Sequence, residues 1–282
     1  MASAAKRRRL ASITPEQWAT FCQDGWVVLK KEEVFSVGQL EVLQKRIDEI
    51  MLKIADVPYD KMLFQLDTGK PGQHENNGEH TLGHKGETLG YRKIQNLEHD
   101  PDFLSYMKLP IFEDACRRAY DQGQPIRIYR AMFFNKPASQ GSHLPWHQDR
   151  WPCLDRDPVF SAYTALDASS PANGCVQVVR GSHKRGVINP DNHSGFLTPQ
   201  QVADIVKDED VVDLTLEEGD VALIHNLLLH RSGVNSTSTP RRAVSVCYMD
   251  GLTAFDPQHH PPDVKGCVQD EHALVFPGTV CG

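Results

Sequence analysis

Residues 144–152 read LPWHQDRWP, an imidazole and a carboxylate two positions apart, His147 and Asp149, between two tryptophans. In an extended strand residues i and i+2 point to one face, so the pair can offer a nitrogen and an oxygen to one point in space. Such a pair also occurs as a plain surface hydrogen bond, so a metal reading needs a third group that converges on it. His143, His183, His193, His225 and His230 are the candidates. His225 and His230 stand five apart in VALIHNLLLHRSG, so in one continuous strand they face opposite sides and only one of them can join the pair. His230 ends an apolar run, and eleven residues on Arg241 opens another strand together with Arg242. Two histidines and one carboxylate, with three positions left open, are the ligand set of non-haem Fe(II) oxygenases. A guanidinium beside them suits a dicarboxylate cosubstrate, because it meets a carboxylate through two parallel hydrogen bonds. A zinc hydrolase would use the same three ligands and a water, but it leaves Arg241 without a purpose.

The elements that must position these groups can be read from pattern. Thr14-Pro15-Glu16-Gln17 has the form of a helix start, with Thr14 as N-cap and Gln17 in the capping-box place, and Gly25 closes the helix. WVVLK follows as a short strand, and Val37 to Ile54 carries apolar residues at helical spacing. From about Met62 to Tyr91 the chain is rich in Gly, His and Asn without periodicity, which predicts a mobile surface loop or active-site lid. A helix is expected over Pro110 to Asp121. From Ile126 seven short apolar runs (IRIYRAMFF, FSAYTALDA, CVQVVR, VVDLTL, VALIH, LLLH, AVSVCYM) alternate with turn signals, as in a β-sandwich or barrel, with one helical insertion over Thr198 to Lys207. The expected organisation is a basic tail over 1–12 and one domain over 13–282, with a helical part 13–122, a core of about 126–250 and a C-terminal extension 251–282.

Composition narrows the function classes. Apolar content of 40%, charged content of 24% and the lack of any run of roughly 18 apolar residues predict a soluble protein with no membrane partner. The net charge of −7 argues against a nucleic-acid binder, since the one basic cluster is Lys6 to Arg9, read as a solvated tail. Seven cysteines without a CxxC pair point to a reducing compartment and buried free thiols.

The order and spacing His147-x-Asp149, Asn173-Gly174-Cys175, Gly181-Ser182-His183 and His230-x-Ser232 through Asn235 to Arg241 resemble the phytanoyl-CoA dioxygenase family of Fe(II)/2-oxoglutarate-dependent oxygenases. TPEQWATFCQDGWVVLK and HDPDF extend the resemblance over most of the chain. It implies a mainly β fold, a double-stranded β-helix or jelly roll of cupin-like form with flanking N-terminal helices. It also implies Fe(II) on His147, Asp149 and His230, and 2-oxoglutarate with its far carboxylate on Arg241. Lys93, Met132 and Tyr163 match further cosubstrate positions. Arg242 should face away.

The activity so implied is hydroxylation of a C–H bond using O₂, with succinate and CO₂ as co-products and ascorbate as a helpful assay component. Asp149 argues against halogenation, because related halogenases carry a small residue there. A 2-oxoglutarate-sensing module without turnover is the alternative from another class. For the substrate, the acidic balance favours a small polar or zwitterionic metabolite over an acyl-CoA thioester, with candidate contacts at Arg92, Arg130, Arg150 and Trp151. His183 is read as a turn residue bonded to backbone, Trp146 equally as core or as a flank of the metal pair, and His259 and His260 as solvated. Arg9-Leu10 followed by Glu16-Gln17 fails the peroxisomal N-terminal pattern, and Val-Cys-Gly is no peroxisomal C-terminus, so a cytoplasmic monomer or homodimer is expected.

Overall fold

The computed structural model describes residues 12–66, 80–121, 123–139, 141–256 and 272–278. At its start Thr14 Oγ1 accepts from Gln17 N at 3.2 Å while Gln17 Oε1 accepts from Thr14 N at 2.9 Å, so the capping box forms and helix α1 runs Pro15–Asp24. Gly25 ends it at φ +92°, where a Cβ would come within 2.5 Å of the Leu228 side chain and 2.6 Å of His183 Nδ1. Glycine is required there twice over, by its dihedral and by its neighbours.

There follow β1 (Trp26–Leu29), α2 (Lys31–Val34), α3 (Gln39–Met51), β2 (Leu63–Leu66), β3 (Thr81–Leu82), β4 (Tyr91–Gln95), α4 (Pro101–Met107) and α5 (Pro110–Ala119). The second half holds β5 (Ile126–Lys136), β6 (Leu144–His147), β7 (Phe160–Ala165), β8 (Val176–Val179), α6 (Pro199–Ile205), β9 (Val211–Leu214), β10 (Val221–His225), β11 (His230–Ser232), β12 (Arg241–Asp250) and β13 (Leu274–Phe276). All strands pair antiparallel. The major sheet has the order β1-β10-β7-β12-β5-β4-β2-β3, with β13 also on β5, and the minor sheet has the order β6-β11-β8-β9. This is a double-stranded β-helix, or jelly roll, with helices on one outer face.

Strand alternation separates the two faces of the major sheet. Ile94, Phe133 and Val244 form one cross-strand row and bury themselves against Leu40, Leu43 and Ile47 of α3 and Phe103 and Phe112 of α4 and α5. The next row, Gln95, Met132, Ser245 and Tyr163, faces the other way and lines a cavity between the sheets. On the minor sheet Val178, His230 and His147 share a row, and Val178 belongs to the apolar cluster that joins the two sheets. Trp146, Val179 and Leu229 lie instead under α6, so of the two readings of Trp146 core packing holds.

Several expectations need correction. The helix expected over Val37 to Ile54 is shorter. Gly38 precedes it at φ +81°, Lys53 follows it at φ +59°, and Val37 and Ile54 are exposed. The stretch from Met62 to Tyr91 is not loop throughout, since it holds β2 and β3 and its last residue opens β4; residues 67–79 lie outside the described residues. The part expected to be helical, 13–122, contributes four strands to the major sheet, and β13 comes from the C-terminal extension. LLLH is a turn that reaches a strand only at His230. Cys22 is exposed, while Cys116, Cys153, Cys175 and Cys247 are buried free thiols. The basic tail, His259 and His260 lie outside the described residues. No described helix is long and apolar enough to cross a membrane.

Candidate metal centre

His147 ends β6 and His230 begins β11, and the two are direct register partners. Their ring centroids lie 4.0 Å apart. Each Nδ1 meets a carbonyl two residues back, His147 at 2.8 Å from Pro145 O and His230 at 2.9 Å from Leu228 O. These carbonyls accept, so the Nδ1 atoms carry the protons and each Nε2 keeps its lone pair. Both lone pairs face Asp149: His147 Nε2 stands 3.7 Å from Oδ1 and His230 Nε2 3.8 Å from Oδ2. Those separations are too long for hydrogen bonds. They suit donors that share one ion at about 2.1 Å from each. His147, Asp149 and His230 offer three ligand atoms within 4.8 Å of one another, among the described residues the one group of three or more His, Cys, Asp or Glu that does so.

The premise of a strand running through HxD is not what places the carboxylate. β6 stops at His147, and Asp149 sits in the loop beyond it, tied by its N–H to Asn226 O at 2.8 Å. Gln148, fully buried between the two ligands, holds this loop. Its Nε2 donates to Gly186 O (2.8 Å) and Leu227 O (2.7 Å), and its Oε1 accepts from Ile188 N (2.8 Å). Gly195 accepts from Gln148 N at 3.1 Å, and a Cβ there would stand 1.9 Å from the Gln148 carbonyl oxygen. Asn226 is anchored in turn by Ser161 Oγ at 2.8 Å and Pro158 O at 2.8 Å. Neither Gln148 nor Asn226 shows in the sequence as functional, because both act through contacts distant in the chain.

His225 is kept out of the group, for a different reason from strand alternation. β10 ends at His225 and belongs to the major sheet, so no single strand links it to His230. Its ring lies 4.8 Å from that of His183, and burial, with His183 adding to it, pushes its pKa down to about 4. His183 Nε2 meets Cys22 O at 3.2 Å in a short turn, which matches the structural reading of Gly-Ser-His. His143 does not line the cavity; His193 does, away from the three ligands.

The cavity that His147, Asp149 and His230 line has a volume of about 1430 Å³. Arg241 lines it and is buried; its Nη1 donates to Tyr163 Oη and its Nη2 to Gly174 O at 2.9 Å, while the buried Nε has no partner. No described carboxylate lies within ion-pair distance of it. Arg242 turns to the other face and is bound by Asp167 at 2.8 Å and Asp48 at 2.7 Å, as alternation predicts. Lys93, Met132, Tyr163, Arg130, Arg150 and Trp151 all line the cavity. Burial, then Arg130 and Arg92, lower the Lys93 pKa to about 7. His80 also lines the wall, bonded to Gln95 at 2.9 Å and pushed down to about 4 by burial and nearby cations. Glu98 joins it with an unpartnered Oε2 and a pKa raised to about 7 by burial. Neither residue is marked in the sequence, because the segments around them have no regular period.

Residues 21–243 match the model of the family described as Phytanoyl-CoA dioxygenase (PhyH). A probable phytanoyl-CoA dioxygenase of Caenorhabditis elegans is 32% identical over 251 residues, 84% of this chain and 75% of the relative. The peroxisomal phytanoyl-CoA dioxygenase of Homo sapiens is 31% identical over 188 residues, 63% of this chain but only 53% of the relative, so the match spans about half of that protein. Among solved structures, EctD from S. alaskensis with bound Fe superposes with TM-score 0.69 at 21% identity, covering 94% of this chain and 87% of that one. The α-ketoglutarate-dependent carbocyclase SnoK from nogalamycin biosynthesis gives 0.64 at 20% identity, covering 87% of each chain.

Proposed function

Since the chain belongs to the phytanoyl-CoA dioxygenase family, we propose that it is a Fe(II)/2-oxoglutarate-dependent dioxygenase that hydroxylates a C–H bond of a small metabolite. One observation carries this reading: two Nε2 lone pairs and the Asp149 carboxylate converge beside Arg241, a buried guanidinium with a spare N–H and no carboxylate partner. Structures of EctD with bound Fe, and with 2-oxoglutarate and 5-hydroxyectoine, show a related scaffold with such occupants. His147, Asp149 and His230 would hold the iron, which with 2-oxoglutarate and O₂ supplies oxidative decarboxylation to succinate and CO₂ coupled to C–H oxidation.

The chain's own residues then do the positioning. Arg241 would offer Nε to the far carboxylate of 2-oxoglutarate, its plane fixed by its hydrogen bonds to Tyr163 Oη and Gly174 O. Met132 and Tyr163, on either side of Ser245 in one cross-strand row, would form the wall behind that cosubstrate, with Lys93 two residues along β4 on the same face. Gln148 and Asn226 keep the Asp149 loop in place without touching the reactants.

The test is O₂-dependent succinate formation by purified protein with Fe(II), ascorbate and 2-oxoglutarate, with and without a metabolite pool, beside His147→Ala and Arg241→Ala. Succinate that requires His147, and that returns in Arg241→Ala only at much higher 2-oxoglutarate, is the expected result. No succinate from any pool, although iron and 2-oxoglutarate both bind, identifies a binding module instead.

A further inference from the structure

The chain is acidic, with 37 Asp and Glu against 30 Lys and Arg, yet its cavity wall inverts that balance. Lys61, Arg92, Lys93, Lys136, Arg150 and Arg241 line it together with Arg130, against Asp60, Glu98 and Asp149. On the oxygenase reading, 2-oxoglutarate brings two carboxylates, one for the metal and one for Arg241. Arg130 is then left without an anion. Among the described residues its guanidinium makes ring contacts alone, and no described carboxylate lies within ion-pair distance.

Arg130 is also placed by a local irregularity. The register between β12 and β5 shifts between Cys247 and Tyr248, a bulge that skips Tyr129. Plain alternation would send Tyr129 and Arg130 to opposite faces, but both line the cavity. The Arg130 guanidinium carbon lies 5.3 Å from the Tyr129 ring centroid and 5.5 Å from that of Trp151. Those rings meet edge to face at 4.8 Å, and Asp157 Oδ1 holds the Trp151 N–H at 2.9 Å. Aromatic faces steady the plane of a guanidinium and leave its N–H edge for a ligand. Arg150 is already donating to Pro190 O at 3.0 Å. A single guanidinium edge beside two aromatic rings matches a planar carboxylate with an apolar body better than a phosphate, which draws on several donors.

We propose that the substrate of this site carries a carboxylate that docks on Arg130, with its body against Tyr129 and Trp151. The proposal rests on the oxygenase reading above for its second anion. It is tested by calorimetry on the full chain loaded with Mn(II) and saturating 2-oxoglutarate, with hexanoate, hexanamide and hexyl phosphate as probes. Hexanoate should bind wild type at least about 10-fold more tightly than hexanamide, as expected for a charge-assisted pair. Arg130→Leu should weaken hexanoate by about 10- to 100-fold and leave 2-oxoglutarate affinity unchanged, with Arg130→Lys between the two. Equal hexanoate affinity in Arg130→Leu, no hexanoate binding to wild type, or a preference for hexyl phosphate each overturns the carboxylate assignment. Failure of Mn(II) or 2-oxoglutarate to bind is recorded separately in the same experiment and sinks the oxygenase reading, while Arg130-dependent hexanoate binding by the metal-free protein stands on its own.

Discussion

Two pairs of histidines flank the turn between β10 and β11, and only one has the makings of a metal centre. His147 and His230 stand 4.0 Å apart with their Nδ1 atoms committed to carbonyls and a carboxylate 3.7 and 3.8 Å from their Nε2 atoms. His183 and His225 stand 4.8 Å apart with no described carboxylate within ion-pair distance of either ring; one ring bonds a carbonyl, and His225 Nδ1 accepts from Leu227 N at 3.1 Å. A pair of imidazoles is therefore not a site by proximity. It becomes one when backbone acceptors fix both tautomers and a charged oxygen closes the third corner.

The largest effect should come from exchanging the fates of the two pairs. His230→Ala should weaken Fe(II) or Mn(II) binding by roughly 100-fold or more, beyond the 10- to 100-fold typical of outer-shell changes, while His225→Ala leaves it nearly unchanged; a metal titration decides. Next comes the arginine pair on β12. Arg241→Ala should raise the Kd for 2-oxoglutarate by about 30- to 100-fold, the loss of a charge-assisted contact. Arg242→Ala should leave that Kd alone and lower stability by about 1–3 kcal/mol, since it strips Asp167 and Asp48 of their partner. Equal effects of the two on 2-oxoglutarate would dissolve the distinction between the faces of β12.

Gln148→Leu should be milder, weakening metal binding by about 10-fold, because it frees the loop that carries Asp149 while keeping all three ligands. The smallest effect concerns acid. His225 has its folded-state pKa lowered from 6.5 to about 4, so its contribution is fully present above pH 6.5 and is lost as pH falls toward 4. His80 acts in the same direction. In urea melts at pH 7.5 and 4.5, His225→Gln should lose less stability on acidification than wild type, by up to about 2 kcal/mol after allowing for partial exposure. An identical acid loss in both proteins would show that His225 is already charged in the fold.

Much of the site was legible because its signals are short. The capping box of α1, the alternating runs after Ile126 and the opposite facing of Arg241 and Arg242 depend on neighbours a few residues apart. Other features were not legible. The exclusion of His225 was expected from alternation along one strand, whereas a change of sheet achieves it. β3 hides in polar sequence because it is a two-residue edge strand with both side chains exposed, and β2, though it reads LFQL and buries Phe64, is too short to stand out beside the Gly- and His-rich stretch that follows it.

By itself the sequence determined which residue types can ligate, which faces Arg241 and Arg242 take on β12, and where α1 begins and ends, because dihedral preference and side-chain period act over a turn or two. Tertiary structure alone decided that His147 sits opposite His230, that Gln148 ties the Asp149 loop to two distant carbonyls, and that an acidic chain encloses a cationic cavity. Register, bulges and burial are set by contacts between segments far apart in the chain, and a local pattern carries no record of them.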